Sequence, residues 1–232
     1  MEKFSRLINL IGENNLQKLN NSKVIVFGVG GVGGYTVEAL TRSGVGEITV
    51  VDFDTVSSSN INRQIIATVQ TVGKLKVEVI KDRMLSINPN IKVNALATKV
   101  DNTTIDSIDF SSYNFVVDAI DMVSSKLLII EKAKQNNVPI ISCMGTGNKL
   151  DATKLQIADI SKTEYCPLAK IMRKELKNRK ITQIPVIFSK ETPIKPKNNN
   201  TENKPIPASV VYVPAVAGML IAQYVITKIL EN

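Results

Sequence analysis

The residues that could do chemistry follow one another in a definite order. The stretch VIVFGVGGVGGY, Val24 to Tyr35, runs a short apolar strand into a loop in which Gly28, Gly30 and Gly33 satisfy G-x-G-x-x-G. Glycines permit the tight turn, and the helix that follows presents free N–H groups and the positive end of its dipole to a phosphate. Asp52 stands nineteen residues after Gly33, at the end of the next apolar run, where an acid can accept ribose hydroxyls. Dinucleotide and ATP sites share this pattern, and glycines with a purely structural job would read alike. The nucleotide is undecided at this point.

Residues further along favour one nucleotide. DFD adds a second acid, Asp54, and NINRQ places Asn60, Asn62, Arg63 and Gln64 in one short loop. A guanidinium is a planar fork of donors suited to phosphate oxygens, and an Asn can orient ribose or phosphate. GKLK puts Lys74 and Lys76 at a helix start, and DAIDM gives Asp118 and Asp121 at the end of a strand, where an acid can hold Mg2+ beside phosphates. Each residue alone has a plain reading: Arg63 as a surface ion pair, Lys76 as helix surface, Asp121 as a helix N-cap. Hydride transfer needs no such convergence of cations and a carboxylate on the phosphate end. Adenylyl transfer does, because attack on the α-phosphorus builds charge that cations must balance.

The elements that must position these residues alternate. Helical spacing of Phe4, Leu7, Ile8 and Ile11, then Leu16 and Leu19 after a break at Gly12, predicts a helical N-terminus. Strands are expected at VIVF, EITVV, KVNALAT, YNFVVDAI and VPIISCMG, with helices at GGYTVEALTR, Lys74 to Ile87 and SSKLLIIEKAKQNN. Strands apolar on both faces and alternating with helices predict an α/β fold: a doubly wound, Rossmann-like, mostly parallel sheet with helices on both faces. Beyond Gly145 we expect added antiparallel strands (DATKLQIADI), a helix from Glu164 to Lys180, a strand from Ser209 to Val213 and a closing helix opened by Pro214. On the Glu164 helix, Leu168, Ile171, Met172 and Leu176 share one face, and Lys170, Arg173, Lys174 and Lys177 share the opposite one. The whole chain, 1–232, reads as a single domain: a nucleotide-binding core over 1–147 and a basic, substrate-facing segment over 148–232, with a mobile Pro, Asn and Lys-rich loop at about 190–207.

Charge is concentrated in that second part. Eleven Lys or Arg and four Glu between Lys162 and Lys204 give +7 of the chain's +8, which suits an anionic macromolecule such as RNA or an acidic partner, or else a solvated helix face and loop. Met1 to Leu10 has no charged start followed by an apolar run, and there are two cysteines, so the expected compartment is the reducing cytoplasm. The uncharged run Ala208 to Ile226 is interrupted by Pro214 and Gln223, and a buried helix is expected there with no membrane span.

The series GVGGVG, DFD, NINRQ, GKLK, INPN and DAIDM resembles the ThiF/MoeB/HesA superfamily of ubiquitin-activating-type adenylating enzymes, to about Gly147. That resemblance implies a homodimer that binds ATP with Mg2+ and adenylates a carboxylate. It implies that Gly28, Gly30, Gly31 and Gly33 form the phosphate loop, that Asp52 takes the ribose, and that Asn60, Arg63 and Lys76 face the phosphates. Asp54, Asn62 and Gln64 join the nucleotide set, Asp121 matches the magnesium-linked aspartate, and Arg6 matches an arginine that reaches the partner subunit's phosphates. Arg63, Lys76 and Asp121 are the expected catalytic residues.

Sulfur-carrier activators of the superfamily usually hold zinc on two Cys-x-x-Cys pairs, and two cysteines with no histidine cannot build that tetrahedral site. The stretches ADISKTEYCPLAKIMRKELKNRKI, VIFSKETPI and PASVVYVPAVAGMLIA instead resemble the branch that dehydrates threonylcarbamoyladenosine next to the anticodon in tRNA. That branch implies adenylation of the threonine carboxylate, ring closure by a nitrogen of the same side chain, and loss of AMP and pyrophosphate. The basic helix, through Lys170, Arg173, Lys174 and Lys177, would then contact tRNA. A monovalent cation and sulfur or redox partner proteins stay open. The alternatives are an adenylyltransferase for the C-terminal carboxylate of a ubiquitin-like sulfur carrier, and a non-enzymatic nucleotide-binding scaffold. Cys166 reads as structural rather than as a thioester former, and Cys143 as core.

Overall fold

The computed structural model describes residues 2–195 and 207–231, so 196–206 of the loop expected at about 190–207 lie outside the described residues. Helical spacing with a break produces α1 (Ser5–Ile11) and α2 (Glu13–Asn20), divided at Gly12, whose φ of 83° is left-handed. Then β1 (Lys23–Phe27), α3 (Gly33–Arg42), β2 (Glu47–Val51), α4 (Lys76–Ile87) and β3 (Lys92–Leu96) alternate. The chain continues through β4 (Phe115–Asp118), α5 (Val123–Gln135) and β5 (Ile140–Cys143) to β6 (Leu155–Asp159), α6 (Pro167–Asn178), β7 (Pro185–Ser189) and α7 (Tyr212–Glu231).

Among the described residues these strands form one seven-stranded sheet in the order β3-β2-β1-β4-β5-β7-β6. All neighbours pair parallel except β6 and β7. Val24 to Phe27 are fully buried because helices cover both faces. On one face Val24, Val26 and Val50 pack with Leu40 of α3, Ile80 of α4 and Ile221 of α7; on the other, Ile25 and Val116 pack with Ile129 of α5 and Met172 of α6. The chain leaves β1 toward β2 and β3, then returns to build β4 on β1's other side. That reversal opens a crevice beyond the strands' C-terminal ends, the place where such sheets bind ligands.

Three expectations for the second half need correction. No strand forms at Ser209–Val213: α7 begins at Tyr212, with Pro214 in its first turn, where a missing N–H costs nothing. Just before that stretch, Asn148 donates its N–H to Ala208 O at 2.7 Å and its Oδ1 accepts from Ala208 N at 2.7 Å, while Ser209 O accepts from Asn62 Nδ2 and Val211 O from Ala215 N, so these groups are satisfied without a ladder. The α6 helix starts at Pro167, not Glu164, because Cys166 caps it, its Sγ accepting from Ala169 N at 3.5 Å. Ile171 is 49% exposed and Ala169 fills the core-facing position beside Met172 and Leu176. The expected antiparallel pairing does form, between β6 and β7 at the sheet's edge, while β7 itself continues the parallel sheet from β5.

The apolar α7, whose most apolar eighteen-residue stretch has mean hydropathy 1.6, packs into the core through Val213, Ala217, Ile221 and Val225. A Cβ on Gly218 would lie 2.5 Å from Val32 O, so this glycine lets α7 touch the start of α3.

Two charged clusters hold the crevice walls. Glu38 of α3 accepts from Arg42 Nε at 2.7 Å and from Arg83 Nε of α4 at 2.6 Å, which ties α3 to α4. Burial pushes its carboxyl up, but the hydrogen bonds from Arg83 and Arg42 outweigh that and hold it below the usual range. Beneath the crevice, Asp118 and Lys126 are fully buried and paired at 2.8 Å. Lys126 Nζ also donates to Ile120 O at 3.0 Å and Cys143 O at 2.7 Å, while Ser142 Oγ donates to Asp118 Oδ2 at 2.5 Å. The segment leaving β4 is thereby pinned to the end of β5.

Two outcomes follow from these clusters. Because the folded-state pKa of Glu38 is depressed, its contribution is present above the unfolded pKa and is lost as pH falls through the folded one. Glu38→Gln should therefore cost about 2 kcal/mol near neutral pH in urea unfolding, with the difference from wild type shrinking in acid; a pH-independent difference would exclude the ion-pair account. Lys126→Met strands a buried carboxylate and should cost about 3–5 kcal/mol, partly recovered in Lys126→Met/Asp118→Leu. A single variant as stable as wild type would contradict the pinning role.

Candidate functional site

The crevice is a cavity of about 370 Å³ at the ends of β1, β2 and β4. The loop after β1 forms one wall, and its shape comes from two glycines. Gly28 has φ 84°, and a Cβ there would sit 2.8 Å from Ala119 O, while a Cβ on Gly33 would fall 1.8 Å from Gly28 O. The loop therefore doubles back on itself against the segment leaving β4, with no side chain between. Gly30 and Gly31 line the cavity, and among the described residues the N–H groups of Gly30, Gly31 and Val32 donate to no protein acceptor. These free donors stand where α3 begins, at the positive end of its dipole.

Asp52 binds the loop to β2. Its Oδ2 accepts from Val29 N at 2.9 Å and its Oδ1 from Asp54 N at 2.9 Å, so the carboxylate is oriented at the cavity wall with lone pairs to spare. Lys76, at the start of α4, is 6% exposed and donates to Asp54 Oδ2 at 2.8 Å; a bridge between Thr55 and Leu75 sets that approach. Arg63 Nη1 donates to Ser59 O at 2.8 Å and Asn62 Oδ1 at 2.9 Å, and among the described residues its guanidinium meets no carboxylate. Asn60 shapes this loop by accepting from Ser57 N at 3.1 Å, and the buried Gln64 Oε1 finds no partner among the described residues. On the opposite wall Asp121 is exposed, with no ion pair or hydrogen bond among the described residues.

The cavity thus brings together Gly28, Gly30, Gly31, Asp52, Asp54, Asn60, Arg63, Gln64, Lys76 and Asp121. Gly33 lies beneath the loop rather than on its surface. Asn62 does not line the cavity but supports two residues that do, its Nδ2 donating to Ser209 O at 3.1 Å and its Oδ1 accepting from Arg63, and Arg6 is exposed on α1, outside this cavity. Asp118, named in the sequence beside Asp121 as an acid that could hold magnesium, is sealed under the site by Lys126 and unavailable to a cation. The basic residues of α6 also lie outside the cavity. Lys170, Lys174 and Lys177 are exposed, but Arg173 is only partly so and spends its Nη1 on Thr163 O at 2.7 Å and Thr163 Oγ1 at 2.5 Å. Cys143 is core, and burial pushes its thiol up to about 12; Cys166 is a buried helix cap.

Sequence reasoning missed part of the lining: Phe53, the segment Thr98 to Val100 after β3, Met122 and Ser125, and Thr146, Ser209 and Pro214 from the second half. Ser125 Oγ donates to Val100 O at 2.6 Å and so fixes that segment. The rule that ligands meet strand C-terminal ends at a topological switch could have flagged the residues just after β3 and β5. Unpaired N–H groups, a guanidinium fork and an ammonium on one cavity, facing a free carboxylate, make a donor set for an anion with several oxygens and a divalent counter-ion.

The chain resembles known proteins over its full length. A tRNA threonylcarbamoyladenosine dehydratase of Bacillus subtilis is 39% identical over 244 aligned residues, covering 100% of this chain and 96% of that protein. The crystal structure of the Escherichia coli tRNA N6-threonylcarbamoyladenosine dehydratase in complex with AMP superimposes with a TM-score of 0.92 at 32% identity, over 99% of this chain and 94% of that one; its complex with ATP gives 0.89. An adenylyltransferase and sulfurtransferase of Saccharomyces cerevisiae is 32% identical over only 64% of this chain and 34% of its own length. The model of the ThiF family matches residues 4–232, and the chain belongs to the ThiF family.

Proposed function

We propose that this protein is an ATP-dependent dehydratase that closes a ring on threonylcarbamoyladenosine in tRNA. One observation carries the reading: the free N–H groups of Gly30, Gly31 and Val32 share a cavity with Arg63, Lys76 and Asp121, on a fold that matches dehydratases over the full chain. ATP supplies an AMP group that turns a carboxylate oxygen into a leaving group, with pyrophosphate released. A nitrogen of the same side chain then attacks the activated carbonyl, AMP departs with one former carboxylate oxygen, and the net loss from the nucleoside is one water.

The chain's own residues orient and neutralise. Gly30, Gly31 and Val32 hold phosphate oxygens through backbone N–H groups, and Asp52, already oriented by Val29 and Asp54, accepts ribose hydroxyls. Arg63 and Lys76 balance the charge that grows on the attacked phosphate. Lys76 keeps Asp54 as its counter-ion until phosphate arrives, so a buried ammonium is never unpaired. Asn60 and Gln64 line the same wall, and the orphaned Gln64 Oε1 gains a donor when nucleotide enters. Magnesium fits Asp121, an exposed carboxylate on the cavity lining, because this ion favours one or two carboxylates with phosphate oxygens supplying the rest. Since ring closure is intramolecular, positioning does most of the work, and a protein without histidine can perform it.

The remaining parts of the reading concern partners. The exposed Lys170, Lys174 and Lys177, with Arg173 at their edge, contact tRNA phosphates. The protein acts as a cytoplasmic homodimer in which Arg6, exposed on α1, reaches the partner's nucleotide.

Incubation with ATP, Mg2+ and tRNA should yield a tRNA nucleoside lighter by one water, with pyrophosphate released. Pyrophosphate release only with a carrier protein would overturn the reading. Arg63→Ala or Lys76→Ala should lower turnover by about 100-fold or more while urea unfolding stays near wild type, Asp54 being half exposed. Replacing Lys170, Lys174 and Lys177 together by Ala should weaken tRNA binding and flatten its dependence on log salt by about one per lysine, with ATP affinity unchanged. An unaltered salt slope would place the tRNA elsewhere.

A further inference from the structure

The residue just before the cap of α6 has no structural explanation of its own. Tyr165 is 57% exposed and holds a φ of 51°, the left-handed region that bulky side chains rarely adopt. Among the described residues its hydroxyl makes no hydrogen bond and its ring meets no other ring. A hydrophobic staple would need an apolar residue at the fourth helical position, and that residue is Lys170. The backbone conformation is thus used to hold an aromatic ring in solvent.

Its location gives the ring a use. Cys166, the next residue, lies with Sγ 3.5 Å from where a Cβ on Gly145 would be, and Gly145 adjoins Thr146 of the cavity lining. The helix that follows carries the exposed Lys170, Lys174 and Lys177 along its length, with the exposed Ile171 among them. An exposed ring adjoining in sequence both a residue packed by Gly145, next to the cavity lining, and a helix whose lysines meet no carboxylate among the described residues is suited to grip an unstacked base next to a contacted backbone. We propose that Tyr165 stacks on a nucleobase of the tRNA anticodon loop, next to the adenosine being modified, while the α6 lysines hold the phosphates. This rests on the dehydratase reading above. The base is gripped through its π-face, so the hydroxyl is dispensable and the ring is not.

The test compares Tyr165→Phe, Tyr165→Asn and Tyr165→Gly, the last two chosen because their backbones accept positive φ and keep the cap. An anticodon stem-loop RNA is the binding probe, with full tRNA for turnover. Tyr165→Phe should bind the stem-loop within about twofold of wild type; Asn and Gly should lose about tenfold or more, the cost of one base–aromatic stack. In turnover the loss should appear in KM for tRNA, with ATP affinity unchanged and the melting temperature of the Gly variant no lower than wild type. Stem-loop binding by Tyr165→Gly equal to wild type, or a loss that follows melting temperature instead, would overturn the stacking role and leave the dehydratase reading standing. A wild-type protein that dehydrates no tRNA would sink both.

Discussion

The crevice depends on a backbone contact that tolerates no side chain. The loop after β1 folds so closely on itself and on the end of β4 that Cβ atoms at Gly28 and Gly33 would strike Ala119 O and Gly28 O. Only after that contact is made do the N–H groups of Gly30, Gly31 and Val32 face outward together at the start of α3. The surrounding interactions keep its two sides in register. Asp52 ties the loop to β2 through Val29 N, and Lys126 ties the segment after β4 to β5 through Cys143 O. Gly218 lets α7 close against Val32, and Glu38 keeps α3 beside α4, which carries Lys76.

Charge is divided between frame and crevice by partnership. Asp118, Lys126 and Glu38 are buried and fully paired, as the cost of an isolated buried charge requires. Around the cavity the pairing is loose or absent: Lys76 leans on a half-exposed Asp54, while Arg63 and Asp121 meet no opposite charge among the described residues. Loosely held charges facing each other across about 370 Å³ are what a multiply charged ligand can satisfy. The same contrast recurs on α6, where Arg173 is occupied by Thr163 while the exposed Lys170, Lys174 and Lys177 meet no carboxylate among the described residues.

The sequence made the parallel sheet legible because strands buried on both faces cannot alternate, and Val24 to Phe27 or Phe115 to Asp118 do not. Gly12 marked the break between α1 and α2, and NINRQ and GKLK marked residues that the cavity does bring together. Less legible was anything decided by contacts distant in sequence. Asp118 and Asp121 read alike until Lys126, a helix residue among apolar neighbours, proved to bury one of them. Ser209 to Val213 has strand composition, but Ala208 just before it bonds to Asn148, sixty residues earlier in the chain, and Ser209 O accepts from Asn62, so distant contacts and not a ladder set its path. Ile171 fits a helical stripe by spacing, yet the smaller Ala169 takes the buried place. Thr98 to Val100 and Thr146 enter the site because strands end there, and no local pattern announces that.

The central claim is that one oxygen of the threonine carboxylate is activated by AMP and leaves with it, the site serving mainly to hold and neutralise phosphate. Oxygen-18 placed in that carboxylate of tRNA-bound threonylcarbamoyladenosine tests this directly. The account predicts one labelled oxygen in the AMP released, matched in amount to the dehydrated nucleoside. Unlabelled AMP alongside dehydrated nucleoside, or label appearing in inorganic phosphate with ADP, would contradict it.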